Sequence, residues 1–278
     1  MRAASRESLA SAREQLTELV NTGTGSATQG SAAWQDLAAQ LRSVAALLVA
    51  EPGLRRALSN PARLPQRRAE LLESLLGSRV GAIALRVLDV VVRQRWSSAA
   101  DLLGAIELLA VDSELETAAS DGVLDDAEDE LFRFQQIVGA HAELTQALSY
   151  GGSPVAARAE LAKQLLDGKA APVTIRLVTM ALHGLGGRGF QAGLARLVEL
   201  VAQRRESQVA YVRSAAPLTV DQEERLTRHL SAVYGQQISL HVRIDPAVIG
   251  GAIVEIGDDR YDGSIGRLLE QARTAIAR

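Results

Sequence analysis

The feature that most limits how this chain can fold is that it matches itself at an offset of about ninety residues, the mark of a duplicated structural unit. Ala57-Leu58-Ser59 falls on Ala147-Leu148-Ser149, and Arg68-Ala69-Glu70-Leu71 falls on Arg158-Ala159-Glu160-Leu161. Leu75-Leu76 falls on Leu165-Leu166, and Arg86 on Arg176. Upstream, Leu41, Val44, Leu47 and Leu48 meet Leu131, Phe134, Ile137 and Val138, so an apolar helical stripe persists where identities change. Two leucine-rich helices aligned by chance share a stripe; they do not share polar residues in register. The repeat covers about residues 34–117 and 124–207, and the opening helix has no second copy.

The repeated unit is helical by pattern. Leu9, Ala12, Leu16 and Leu19 recur at helical spacing between Arg13, Glu14 and Glu18, which predicts an amphipathic helix over residues 6–20, stopping at Asn21. Residues 22–30 are small, polar and glycine-rich, a flexible connection. A helix from Ser31 is closed by Glu51-Pro52-Gly53, and a short one follows over 54–59. Further helices are expected over about 65–76, 81–96 and 98–119, punctuated by Gly77, Ser78 and Ser97. Aromatics make up only 3% of the 278 residues, so the cores are light and aliphatic.

Beyond Gln208 the pattern changes. Val209, Tyr211 and Val212 read as one strand; Ile238, Leu240, Val242 and Ile244 alternate with other residues as a second; residues 252–256 form a third. A helix over 219–234 has Thr219 as N-cap and Gly235 past its end, and a last helix over 264–277 is capped by Ser264. The fold class is mainly α: an N-terminal helical bundle (1–120), a second, duplicated bundle (121–207) and a small C-terminal α/β domain (208–278).

No catalytic constellation emerges. Asp245-Pro246 followed by Gly250-Gly251 reads as a tight crossover, since no helix start with a lysine follows as a phosphate loop requires. Asp262-Gly263-Ser264 reads as a turn feeding a capped helix, not a serine nucleophile, because no histidine lies near. The glycines at 184, 186, 187 and 189 follow a helical run and not a strand, so they mark a helix-to-helix linker. Asp125, Asp126, Glu128, Asp129 and Glu130 lack the spacing of a calcium loop and read as a helix start that complements the dipole. The four histidines form no pair at metal-ligand spacing, and the absence of cysteine removes thiolate chemistry. No cofactor or metal site is expected. A net charge of -3 offers no broad basic field for nucleic acid. The longest apolar run, residues 44–50, falls far short of the roughly 20 residues a membrane helix needs.

Ser214 to Thr219, Ile244 to Val254, Gly257-Asp258 and Asp262 to Ile265 resemble, in order, the C-terminal signature of the delta subunit of bacterial ATP synthase, whose mitochondrial relative is the oligomycin-sensitivity-conferring subunit. Asp245, Pro246, Gly250, Gly251, Asp262, Gly263 and Ser264 carry the signature as turn residues. The duplicated bundle resembles the long actinobacterial form, while Arg6-Glu7-Ser8 stands where the family has a more apolar opening. The resemblance implies a non-catalytic stator subunit on the cytoplasmic face of the bacterial cell membrane, attached to the membrane only through its complex. Its bundle would grip the N-terminal tails of the alpha subunits, and its tail domain would hold the b-type stalk. By the same resemblance an alpha tail lies between the first and fifth helices, which nominates Leu9, Ala12, Leu16, Leu85, Leu88 and Val92. Because the second bundle lacks a copy of the first helix, an uncovered apolar stripe is expected there, with a b-type stalk helix as its cover. The competing reading is a stand-alone helical adaptor that carries the same tail.

Overall fold

The computed structural model describes residues 1–24, 30–206, 209–216, 218–235, 238–245, 248, 250–256 and 259–263, and the chain divides into two compact units, Met1–Val201 and Ala202–Arg278. The helices are α1 (Ala3–Thr24), α2 (Gly30–Ala50), α3 (Pro52–Ser59), α4 (Pro65–Leu76), α5 (Ala82–Arg93) and α6 (Ala99–Ser120), then α7 (Leu124–Ala140), α8 (Ala142–Ser149), α9 (Val155–Leu166), α10 (Pro172–Leu182) and α11 (Phe190–Glu206). The duplication is written into these boundaries. Residues 52–59 of α3 recur as 142–149 of α8, 65–76 of α4 as 155–166 of α9, and α5 and α10 begin at 82 and 172.

Local chemistry accounts for the breaks. Pro52, Pro65 and Pro172 each sit in a first turn, where the missing N–H costs nothing and the fixed φ favours helix. Glu51 alone separates α2 from α3, and the chain bends there by 108°. Ser98 caps α6 by accepting from the Asp101 N–H. α1 and α3 start earlier than expected, at Ala3 and Pro52, and two helix ends differ as well. α1 continues to Thr24, because nothing in residues 21–24 forbids helix. α5 ends at Arg93, short of Trp96, whose buried indole N–H donates to the Val91 carbonyl at 2.8 Å; folding the ring inward breaks the helix before it. Residues 25–29 lie outside the described residues.

One apolar cluster runs through both copies, from Leu9 to Val201. The expected boundary after residue 120 falls in the turn between α6 and α7, where Gly122 takes φ 71°. The cluster is continuous because of α6. Its buried residues come in consecutive runs, Gly104-Ala105-Ile106, Leu109-Ala110-Val111 and Ser113-Glu114-Leu115. Neighbours on a helix are about 100° apart, so such runs cover far more than one stripe. One side of α6 meets α1, α2, α3 and α5; the other meets α7, α10 and the 3-10 turn Leu185–Gly187. Most of the stripe expected to lie bare on the second copy, Leu131, Phe134 and Val138, is therefore covered from within, while Ile137 stays half exposed: α6 closes the first bundle and stands in as the missing opening helix of the second.

In the tail unit, β1 (Val209–Ser214) pairs parallel with β2 (Ser239–Ile244) and antiparallel with β3 (Ala252–Ile256), and β3 pairs antiparallel with β4 (Asp259–Asp262), giving the order β2-β1-β3-β4. α12 (Val220–Tyr234) makes the crossover that a parallel pair requires. The Thr219 hydroxyl accepts from Gln222 N–H and the Gln222 side chain accepts from Thr219 N–H, a complete capping box, and Gly235 ends the helix at φ 66°. Ala210, Val212, Leu230, Ile238, Val254 and Ile256 form the core. β4 was not expected: Asp262 closes this fourth strand in place of the expected turn, and the Gly263 N–H carries the pairing one step further by donating to the Ala252 carbonyl at 3.0 Å. Pro246, Gly257-Asp258, Ser264 and the helix expected over 264–277 lie outside the described residues.

Candidate functional site: helix seams and turns

The six residues nominated for a groove lie on α1 and α5, two helices that pack on each other. Leu9, Ala12 and Leu16 line the inner face of α1 and are buried, while Leu88 and Val92 on α5 are wholly covered. Leu85, one turn before Leu88 on the same face, is partly exposed, as is Leu19 on α1. The buried residues belong to the core of the bundle, and Leu85 and Leu19 are the apolar side chains named here that stay partly exposed.

Polar contacts fix this seam at its ends. The Ser8 hydroxyl donates to the Arg95 carbonyl at 2.7 Å, and the Ser5 hydroxyl donates to Asp101 at 2.9 Å while accepting from Ser97 N–H at 2.9 Å. These bonds satisfy backbone groups at the α5–α6 corner that no helix ladder reaches. Arg13 clasps Asp112 of α6 through Nε at 2.8 Å and Nη2 at 3.1 Å, a two-pronged pair that sets the rotation of α1.

The corresponding corner of the second copy holds the glycine-rich linker, with Gly184, Gly186 and Gly187 at φ 90°, 63° and 71°. Such angles suit a residue without a side chain. Glu107 of α6 accepts from the Gly186 N–H at 2.6 Å, so the linker is tied to the shared helix. Burial pushes the Glu107 carboxyl above its ordinary value, against the opposing pull of that N–H, Arg188 and Arg55.

Between the copies lies Glu114. Its carboxylate is fully buried; Oε1 accepts from Arg42 Nη1 of α2 at 2.7 Å and Oε2 accepts from Arg176 Nε of α10 at 2.8 Å. Sequence reading missed this residue, because Asp112 and Glu116 on either side make it look like one more acid on a solvated face. Glu130 was read with the acidic start of α7. Asp125 and Asp126 do occupy that first turn, but Glu130 reaches across to α10, accepting from Ala171 N–H at 2.9 Å and from the Thr174 hydroxyl.

In the tail, Gly250 and Gly251 take φ 67° and 76°, the left-handed backbone of a tight turn into β3. Arg213 on β1 bridges Asp245 at 3.4 Å and Glu255 at 3.2 Å, tying the end of β2 to β3. The Tyr234 hydroxyl donates to Asp259 at 2.8 Å and lies 2.9 Å from that of Tyr261; burial and these two partners hold its phenol far above the usual value, so it is a structural strut. Among the described residues no group of histidines and carboxylates is spaced to hold a metal ion.

Seams, clasped corners and tight turns are the parts of a helical structural subunit, one whose work is to hold and be held. The chain matches the family described as ATP synthase delta (OSCP) subunit over residues 111–276. It is 46% identical to the ATP synthase subunit delta of Salinispora tropica over 99% of this chain and 98% of that protein. It is 43% identical to that of Streptomyces griseus subsp. griseus and 41% identical to that of Acidothermus cellulolyticus, in each case over 100% of both chains. The chain belongs to the ATP synthase delta (OSCP) subunit family.

Proposed function

We propose how this member of the delta family works in the peripheral stalk of the rotary ATP synthase: as a non-catalytic clamp that joins the N-terminal tails of the alpha subunits to the b-type stalk. The clamp keeps the catalytic head from turning with the central shaft. Similarity along the whole length to delta subunits carries this reading and disfavours a stand-alone adaptor. The alpha tail docks along the outer edge of the α1–α5 seam, over Leu85 and Leu19, with Leu9, Ala12, Leu16, Leu88 and Val92 as the floor that keeps the edge in shape. A helix laid along such an edge buries apolar side chains at successive turns and spreads load over many contacts. The tail domain takes the b-type subunit. The tight turn at Gly250 and Gly251 shapes that domain, and Asp245 anchors it by pairing with Arg213. No single helix among the described residues is long and apolar enough to cross a membrane, and the subunit is held at the cytoplasmic face through its partners.

The test is a binding assay of the full chain with an alpha N-terminal peptide and with a b C-terminal peptide. Both bind if the reading is right, and Leu85→Glu weakens the first alone. Binding to neither peptide sinks the assignment.

A further inference from the structure

We propose that the second copy is a buttress and not a separate docking arm: sharing α6 and cross-linked through Glu114, the two copies deform and unfold as one body. Any load placed on the first copy is then carried by both. The inference stands on the fold alone, so it fails or survives independently of the partners named above.

Three observations carry it. The first is that α6 is the inner helix of both bundles, so neither copy has a closed core without it. Two domains on a linker have a core each; here a single apolar cluster passes from one copy into the other. The second is the placement of Glu114. A carboxylate with no exposed surface is tolerable only when its oxygens are taken, and they are taken by one arginine from each copy. Separating the copies would leave one oxygen of that buried carboxylate without its partner, a cost that holds the junction closed.

The third observation comes from register. Arg42 corresponds to Phe132 in the second copy, and Arg176 corresponds to Arg86 in the first, where the side chain is exposed. Neither arm of the clasp therefore repeats a bond made inside each bundle. Arg42 and Glu114 both lie within the first copy, so the Arg176 arm is the one that crosses between copies. Glu107 adds a second tie from α6, to Gly186 at 2.6 Å.

The two tryptophans, Trp34 and Trp96, both lie in the first copy and are buried, so their fluorescence reports that copy alone. The full chain is titrated with urea while tryptophan emission is followed, and peptide-resolved amide exchange is read over α8, α9 and α10. In the unaltered protein the second copy is expected to lose protection at the urea concentration at which the tryptophan signal changes. In Glu114→Gln, whose amide cannot satisfy two guanidinium groups, exchange in α8–α10 accelerates by about a hundredfold while the tryptophan environment is still native. Should that variant fail to fold, Arg176→Met, which removes only the arm from the second copy, is read in the same way. Asp129→Ala, which breaks a pair exposed on both sides, leaves both signals in place. The proposal is overturned if the unaltered chain loses protection in α8–α10 while the first copy is intact, or if neither junction variant uncouples the two signals.

Discussion

Gln40 in the first copy and Glu130 in the second stand at the same register, and both reach across the bundle to a backbone N–H at the start of a later helix: Gln40 accepts from Gly81 before α5 at 2.6 Å, Glu130 from Ala171 before α10 at 2.9 Å. Arg68 and Arg158 also share a register, yet they serve different ends. Arg68 donates to the Arg93 and Gln94 carbonyls where α5 stops, and Arg158 donates to the Leu148 carbonyl in the last turn of α8. The duplicated backbone thus sets the same tasks twice, closing the helix ends that ladders leave open, while the side chains that perform them have diverged. Surface charge has diverged further. Residues 31–98 hold ten arginines and five carboxylates, whereas residues 121–188 hold six cations and nine carboxylates, so the copies cannot be interchangeable toward a charged partner.

The largest expected effect separates the two arginines. Arg68 is almost wholly buried, and burial lowers its pKa without discharging it, since guanidinium stays protonated in proteins. Arg68→Ala strands two carbonyls and opens a cavity, for a loss of about 3 kcal/mol by urea unfolding, with exchange rising at the end of α5. Arg158→Ala strands one carbonyl and is expected to cost about half as much, with the change at the end of α8. Equal losses would mean that the inherited position, and not the bonds now made from it, sets the stability.

The next contrast concerns the acceptors. A charged acceptor at a helix start is worth more than a neutral one, because it also meets the positive end of the dipole. Glu130→Ala is expected to cost about 2 kcal/mol and Gln40→Ala about 1 kcal/mol, each measured as the shift in urea midpoint at constant slope. Glu130→Gln gives the second copy the first copy's chemistry and should recover about half of the Glu130→Ala loss. If Gln40→Ala proves the more costly, the carboxylate has been retained for a partner and not for the fold.

These contrasts also show what could be read before the structure. Pro65 and Gly77 placed the boundaries of α4, and the self-match at Arg158-Ala159-Glu160-Leu161 pointed to its repeat in α9 without giving its ends. Thr219, Gln222 and Gly235 likewise announced both ends of α12. β4 was illegible, since Asp259, Arg260, Tyr261 and Asp262 form a short edge strand without apolar alternation. Five of the nominated groove residues are buried, but periodicity reports that a side chain faces something and not whether that something belongs to the same chain. The same ambiguity hid the double role of α6: its apolar residues on several sides signal a buried helix, while its partners are set by tertiary packing. Glu114 was hidden for a related reason, as the arginines that justify it lie 72 and 62 residues away.

The smallest effect concerns the clasped corners, where the copies differ in kind. The first corner is held by the hydroxyls of Ser5 and Ser8, which do not titrate near neutrality, and the second by the carboxylate of Glu107. Burial raises the Glu107 pKa in the folded chain, so the folded state holds the proton more tightly than the unfolded one. Stability from this source is fully present below the unfolded value, about 4.3, and is lost as pH rises through the raised folded value. Glu107→Gln keeps an oxygen acceptor for the Gly186 N–H and removes the charge that burial penalises. Relative to the unaltered chain, the variant should therefore gain stability as pH rises from about 4 to 7. Glu107→Ala loses the acceptor and should cost about 1 kcal/mol at neutral pH, felt as faster exchange over residues 184–189. Replacing Ser8 with alanine should change the first corner by the same amount at every pH. A Glu107→Gln difference that is flat, or that runs the other way, would show the carboxylate to be better solvated than its place against the linker implies.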